Sequence, residues 1–88
     1  MKTAASLYVK RLRKELGLTQ EGLARILGIT ARAVANYEAG LRVPNAMIAL
    51  RLALYSADPE TRKELMRIAR LSAAEVEAFA PIRLSTRH

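Results

Sequence analysis

Gly28 is the residue that most restricts what this chain can become. It interrupts a stretch, Leu18 to Gly40, composed almost wholly of helix formers, and Thr30 follows it two residues later. A glycine after an apolar run stops a helix, because it adopts the left-handed conformation at a C-terminus without a steric penalty. A threonine just before a new run starts one, through a side-chain oxygen that accepts from the first free amides. Stop and start two residues apart leave room only for a tight turn. The helices on either side must then cross at a wide angle, and a small residue, Ala24, lets their backbones approach.

The same punctuation divides the rest of the chain. Helix 1 is expected over about Ala4 to Leu16, with Val9, Leu12 and Leu16 on one stripe and Gly17 closing it. Thr19 opens helix 2, which runs to about Leu27 with Leu23, Ala24 and Leu27 inward. Gly22 in its first turn is weaker than alanine by up to about 1 kcal/mol. Thr30 opens helix 3, which runs to about Ala39 with Val34 and Tyr37 inward, and Gly40 ends it. Pro44 and Asn45 introduce helix 4, about Ala46 to Ser56, apolar nearly all round with Arg51 as its one charge. Such a helix must be buried on more than one side.

Asp58-Pro59-Glu60 is a start signal for helix 5, about Pro59 to Leu71. Ser72-Ala73-Ala74-Glu75 has capping-box spacing, with Leu71 and Val76 at the staple positions, which predicts a short sixth helix from about Ala73 to Ala80. Pro81 would stop it and leave a basic tail over residues 82–88. The expectation is an all-α fold, a compact bundle of five to six helices. Residues 1–71 form the main domain, with the turn-linked pair at 20–39. Residues 72–88 add a short helix and tail available to a dimer or partner.

Composition narrows the function. The 88 residues contain no cysteine, which excludes disulfides, thiolate catalysis and a cysteine zinc site and fits a cytoplasmic setting. No apolar run approaches the roughly 20 residues a membrane span needs, and Met1 to Lys10 lacks a signal-peptide core. The single His88, unpaired carboxylates and missing phosphate loop give no catalytic, metal or cofactor site. The net charge is +7, from 15 Lys and Arg against eight Asp and Glu. Eight of those bases and three of the acids fall in residues 1–42, a local excess of five. A small basic domain of this kind suits an anionic partner, most often nucleic acid.

Two short helices joined by a glycine turn form a helix-turn-helix. From Gln20, the small residue is fifth (Ala24), the glycine ninth (Gly28) and the aliphatic residue fifteenth (Val34). Leu23, Leu27, Ile29 and Tyr37 fill the other apolar positions, between "GLTQEGLA" and "YEAG". The chain resembles the phage-repressor and Cro-type helix-turn-helix proteins, the XRE-like group of prokaryotic regulators, from about Val9 to Pro44. The resemblance implies a lambda-repressor-like fold and double-stranded DNA as partner. It places Ala31, Arg32 and Asn36 at positions that read bases in the family. It implies a phosphate contact for Gln20 and an Arg13–Glu38 ion pair across the core edge.

The residue chemistry agrees with those assignments. Helix 3 would lie in the major groove, where Arg32 can donate twice to guanine, Asn36 can pair with adenine, and Ala31 and Ala35 can touch thymine methyls. Arg32 has a second reading, as a phosphate contact or a solvated charge. Gln20, Thr30, Arg42 and Lys10 are the phosphate candidates. Many relatives carry Gln or Ser where this helix has alanines, so specificity would also lean on DNA shape. A dimer surface is expected on helices 4 to 6, at Leu52, Tyr55, Leu65, Ile68 and Phe79. Two functions stay open: a homodimeric repressor on a palindromic operator, or an antitoxin-type module that holds a toxin with its C-terminal helices. With no sensing domain after the motif, regulation is expected through concentration or a partner.

Overall fold

Every helix begins on a side chain that accepts a hydrogen bond from the amide three residues ahead. A computed structural model describes residues 3–79, with side chains described as far as Ala74. It contains α1 (Ala4–Glu15), α2 (Gln20–Leu27), α3 (Ala31–Ala39), α4 (Ala46–Tyr55) and α5 (Pro59–Phe79), and no strand among the described residues. The caps are Thr3, Thr19, Thr30 and Asn45 for the first four helices, and Asp58 receives the Thr61 amide ahead of α5. Each cap satisfies one of the amides a helix start leaves without an internal partner.

The core is built from one stripe of each helix. Val9 and Leu12 of α1, Leu23 and Leu27 of α2, Val34 of α3, Leu52 of α4 and Leu65 of α5 are all essentially inaccessible to solvent. α4 lies along α5 and also touches α1 and α2, whereas α3 packs mainly on α2 and α1. This arrangement leaves one whole side of α3 facing solvent.

Two expectations change. The break at Ser72 does not occur, because α5 is one 21-residue helix. A capping box needs an extended backbone at its first residue, and nothing around Leu71-Ser72-Ala73-Ala74 forces one, whereas the alanines favour continuation. Ser72 instead donates its hydroxyl to the Pro44 carbonyl at 3.4 Å. Pro81 and the tail lie outside the described residues. The dimer residues change as well. Leu52, Leu65 and Ile68 are buried in the chain's own core and cannot meet a second chain. α4 buries Ile48, Ala49, Leu52 and Ala53 against its three neighbours, whereas Met47, Leu50 and Leu54 stay exposed, so only part of the burial its sequence called for is met. Tyr55 is at the surface, and the side chain of Phe79 is outside the described part.

Candidate nucleic-acid interface

The turn between α2 and α3 is set by backbone hydrogen bonds around Gly28, which has φ 71° and ψ 30°. The Ile29 amide donates to the Ala24 carbonyl at 3.0 Å and the Gly28 amide to Arg25 at 3.3 Å. This is the paired closure of a left-handed helix terminus. Ala24, 3% exposed, sits at the close approach of the two helices. Gly22 also has a local reason. A Cβ there would lie 3.3 Å from Leu18 Cδ2 and 3.4 Å from Thr19 Oγ1, the oxygen that caps α2.

A further contact steadies the turn from behind. Arg51 of α4 donates from Nη1 to the Leu27 carbonyl at 2.9 Å and from Nη2 to Ile26 at 3.0 Å. These are among the last carbonyls of α2, where a cation also meets the negative end of the helix dipole. Sequence reasoning missed this role. Its signal was the isolation of Arg51 as the one charge in an apolar helix.

A partly buried ion pair holds α3 to the other elements. Arg13 Nε donates to Glu38 Oε2 at 2.6 Å and Nη2 to Oε1 at 3.0 Å, while Nη1 reaches the Leu18 carbonyl at 3.0 Å. Gln20 Nε2 donates to the same Glu38 Oε1 at 3.3 Å. The Glu38 carboxylate of α3 thus ties in α1 and α2 directly, and the α1–α2 turn through Arg13. Burial pushes the Glu38 carboxyl up. The hydrogen bonds from Arg13 and Gln20, with the charges of Arg13 and Lys10, outweigh burial and hold it below its ordinary value. The same carboxylate raises the Arg13 guanidinium.

The outward residues of α3 are small, with one exception. Ala31 and Ala35 are half-buried, Asn36 is half-buried, and Arg32 is exposed, with no hydrogen bond or ion pair among the described residues. Arg32 and Asn36 are four residues apart and share a face. The Asn36 backbone carbonyl accepts from the Leu41 and Arg42 amides at 2.9 and 3.3 Å, and its side-chain amide makes no hydrogen bond among the described residues. Beside the start of α3, a shallow notch is lined by Glu21, Ala24, Arg25, Ile29 and Ala31. Sequence reasoning had passed over Arg25, which is exposed there.

The phosphate candidates divide by position. Gln20 opens α2, Thr30 caps α3 with its Oγ1 accepting from the Ala33 amide at 3.0 Å, and Arg42 is exposed just past the α3 terminus. Gln20 spends one amide hydrogen on Glu38 and keeps the other. Lys10 is half-buried on α1 with its charge felt at Glu38, on the inner side of the motif. No group of three or more metal-ligating side chains occurs among the described residues, and no helix there is long and apolar enough to cross a membrane.

A helix-turn-helix family model matches residues 9–55, just over half of the chain. Comparison with curated proteins and with solved structures returned no match. The matched span begins at Val9 in the middle of α1 and ends with α4, so it includes the turn, the Arg13–Glu38 pair and the Arg51 clamp. The chain belongs to the XRE family of helix-turn-helix DNA-binding regulators.

Proposed function

We propose that this protein is a sequence-specific repressor that inserts α3 into the DNA major groove and occupies a palindromic operator as a homodimer. The observation that carries the reading is Arg32. It is an exposed guanidinium without an internal partner, one helical turn before Asn36, on a helix fixed from behind by Glu38. Arg32 donates twice to a guanine edge and Asn36 pairs with an adenine, while Ala31 and Ala35 contact thymine methyls. Gln20, Thr30 and Arg42 hold phosphates on either side and fix the register. The protein acts by occupying its site in the cytoplasm, without catalysis.

The test is selection of bound duplexes from a random pool, followed by footprinting. The expected result is an inverted repeat with half-sites about one helical turn apart, centre to centre. Recovery of sequences with no shared preference would overturn the reading.

A further inference from the structure

We propose that Arg25 of α2 is a specificity-determining residue: it reaches across the notch beside Ala31 and donates to a base edge at the outer end of the half-site. The inference deepens the operator-binding reading above and rests on it, because it assigns a further contact to the same groove-facing site.

α3 supplies few polar groups for that task. Of its outward residues only Arg32 and Asn36 carry side-chain donors, and Ala31, in its first turn, ends at a methyl. The N-terminal residues of a reading helix are the ones that meet base edges. An alanine there leaves room. The notch lined by Glu21, Ala24, Arg25, Ile29 and Ala31 has a volume of about 410 Å³. A neighbouring element can fill that room, and the cation on its wall is Arg25.

The Arg25 guanidinium has no work inside the chain. It is exposed and makes no hydrogen bond or ion pair among the described residues, although Glu21 stands four residues before it on the same helix. That spacing places an acid within reach of a base on one helix face. Nor does the end of α2 need its charge. The last four carbonyls of the helix are already served: Ala24 by the Ile29 amide, Arg25 by the Gly28 amide, and Ile26 and Leu27 by Arg51. A long, uncommitted fork thus stands beside the least furnished turn of the reading helix.

Glu21 decides between the two kinds of acceptor that DNA offers. Phosphate oxygens are anionic, and a carboxylate on the same notch repels them. Base edges are neutral, so Glu21 leaves them open to Arg25. Two N–H groups of a guanidinium fit the O6 and N7 acceptors of guanine, which makes guanine the expected base. It belongs to a different base pair from the one read by Arg32, displaced toward the start of α3.

The experiment is selection of bound duplexes from a random pool by the wild-type chain, Arg25→Ala, Arg25→Lys and Ala31→Gln, with affinities then measured across salt concentrations. The proposal expects a wild-type operator with a preferred guanine that neither Arg32→Ala nor Asn36→Ala relaxes. Arg25→Ala should lose preference at that pair alone and bind the wild-type operator about 5–150-fold more weakly, the span of one bidentate contact. Arg25→Lys keeps the charge without the fork and should lose the same preference. Ala31→Gln fills the notch, so adding Arg25→Ala to it should cost less than adding it to the wild type. An unchanged preference in Arg25→Ala, or a preference kept by Arg25→Lys, overturns the proposal. So does a uniform loss across all sequences with a shallower salt slope, which marks a phosphate contact. A loss of binding matched by a lower unfolding midpoint marks a structural role and overturns it as well. A wild-type chain that recovers no shared sequence overturns the operator reading itself, and this inference with it.

Discussion

Glu38 concentrates the most consequence in a single side chain. It is 6% exposed and serves three hydrogen bonds from two partners. Glu38→Gln leaves Arg13 partly buried without a counter-charge, a loss of about 3–5 kcal/mol for a pair of this kind. Urea unfolding at neutral pH measures it. The acid limb of stability follows from the same residue. Its carboxyl is held lower in the folded chain than in the unfolded one, so its contribution is complete above the unfolded value, about 4.3 for glutamate. The contribution disappears as pH falls through the lower folded value. Wild type should therefore lose stability progressively below pH about 4.3, and Glu38→Gln should lose less over the same interval. Asp58, also held low by the Thr61 hydroxyl and amide, accounts for part of the slope that remains in both. On the outer side, Arg32→Ala and Asn36→Ala should each weaken operator binding by about 1–3 kcal/mol and relax preference at one base pair. A competition assay against single-base variants of the operator reads both effects.

At the level of elements, the turn is held by a glycine on one side and a guanidinium on the other. Gly28→Ala meets no neighbouring atom within 4 Å, so its cost is confined to the left-handed backbone, about 1–2 kcal/mol, and Gly28→Asn should cost less. Arg51→Met removes two charge-assisted bonds to the α2 carbonyls while keeping an apolar stem of similar length. It should lower stability by about 1.5–3 kcal/mol and also weaken DNA binding, because α3 loses a support for its angle. Comparison of urea midpoints with duplex affinities separates the two parts. The elements also show how far sequence alone could go. Starts and stops at Thr19, Gly28, Thr30 and Gly40 were legible because caps and left-handed termini are decided by residues a few positions apart. Ser72 was misread for the complementary reason: the capping-box pattern is necessary for that start but does not compel it inside a run of alanines. Leu52 and Leu65 read as surplus apolar residues, because periodicity reveals an apolar face without revealing how many neighbours cover it. The roles of Arg51 and the Gln20 bond to Glu38 depend on elements 24 and 18 residues apart, which local spacing does not encode.

For the whole molecule, charge and assembly act together. A basic surface that neutralises phosphates releases counterions, so log affinity should fall linearly with log salt at a slope near −0.9 per phosphate contact. Arg42→Ala should reduce that slope by about one unit per protomer without changing which sequence is bound, in contrast to Arg32→Ala. A titration series across salt concentrations distinguishes a positioning contact from a reading one. The same contrast separates the two readings of Arg32 left open by its chemistry.

The caps have a consequence in time. Thr3, Thr19, Thr30, Asn45 and Asp58 each close a helix start through a partner three residues away, and the termini at Gly28 and Gly40 are closed within five. Few of the bonds that define these helices wait for distant parts of the chain to meet. A topology dominated by neighbours in sequence folds in microseconds to milliseconds. Each newly made chain therefore reaches the fold that positions α3 almost as soon as it is released.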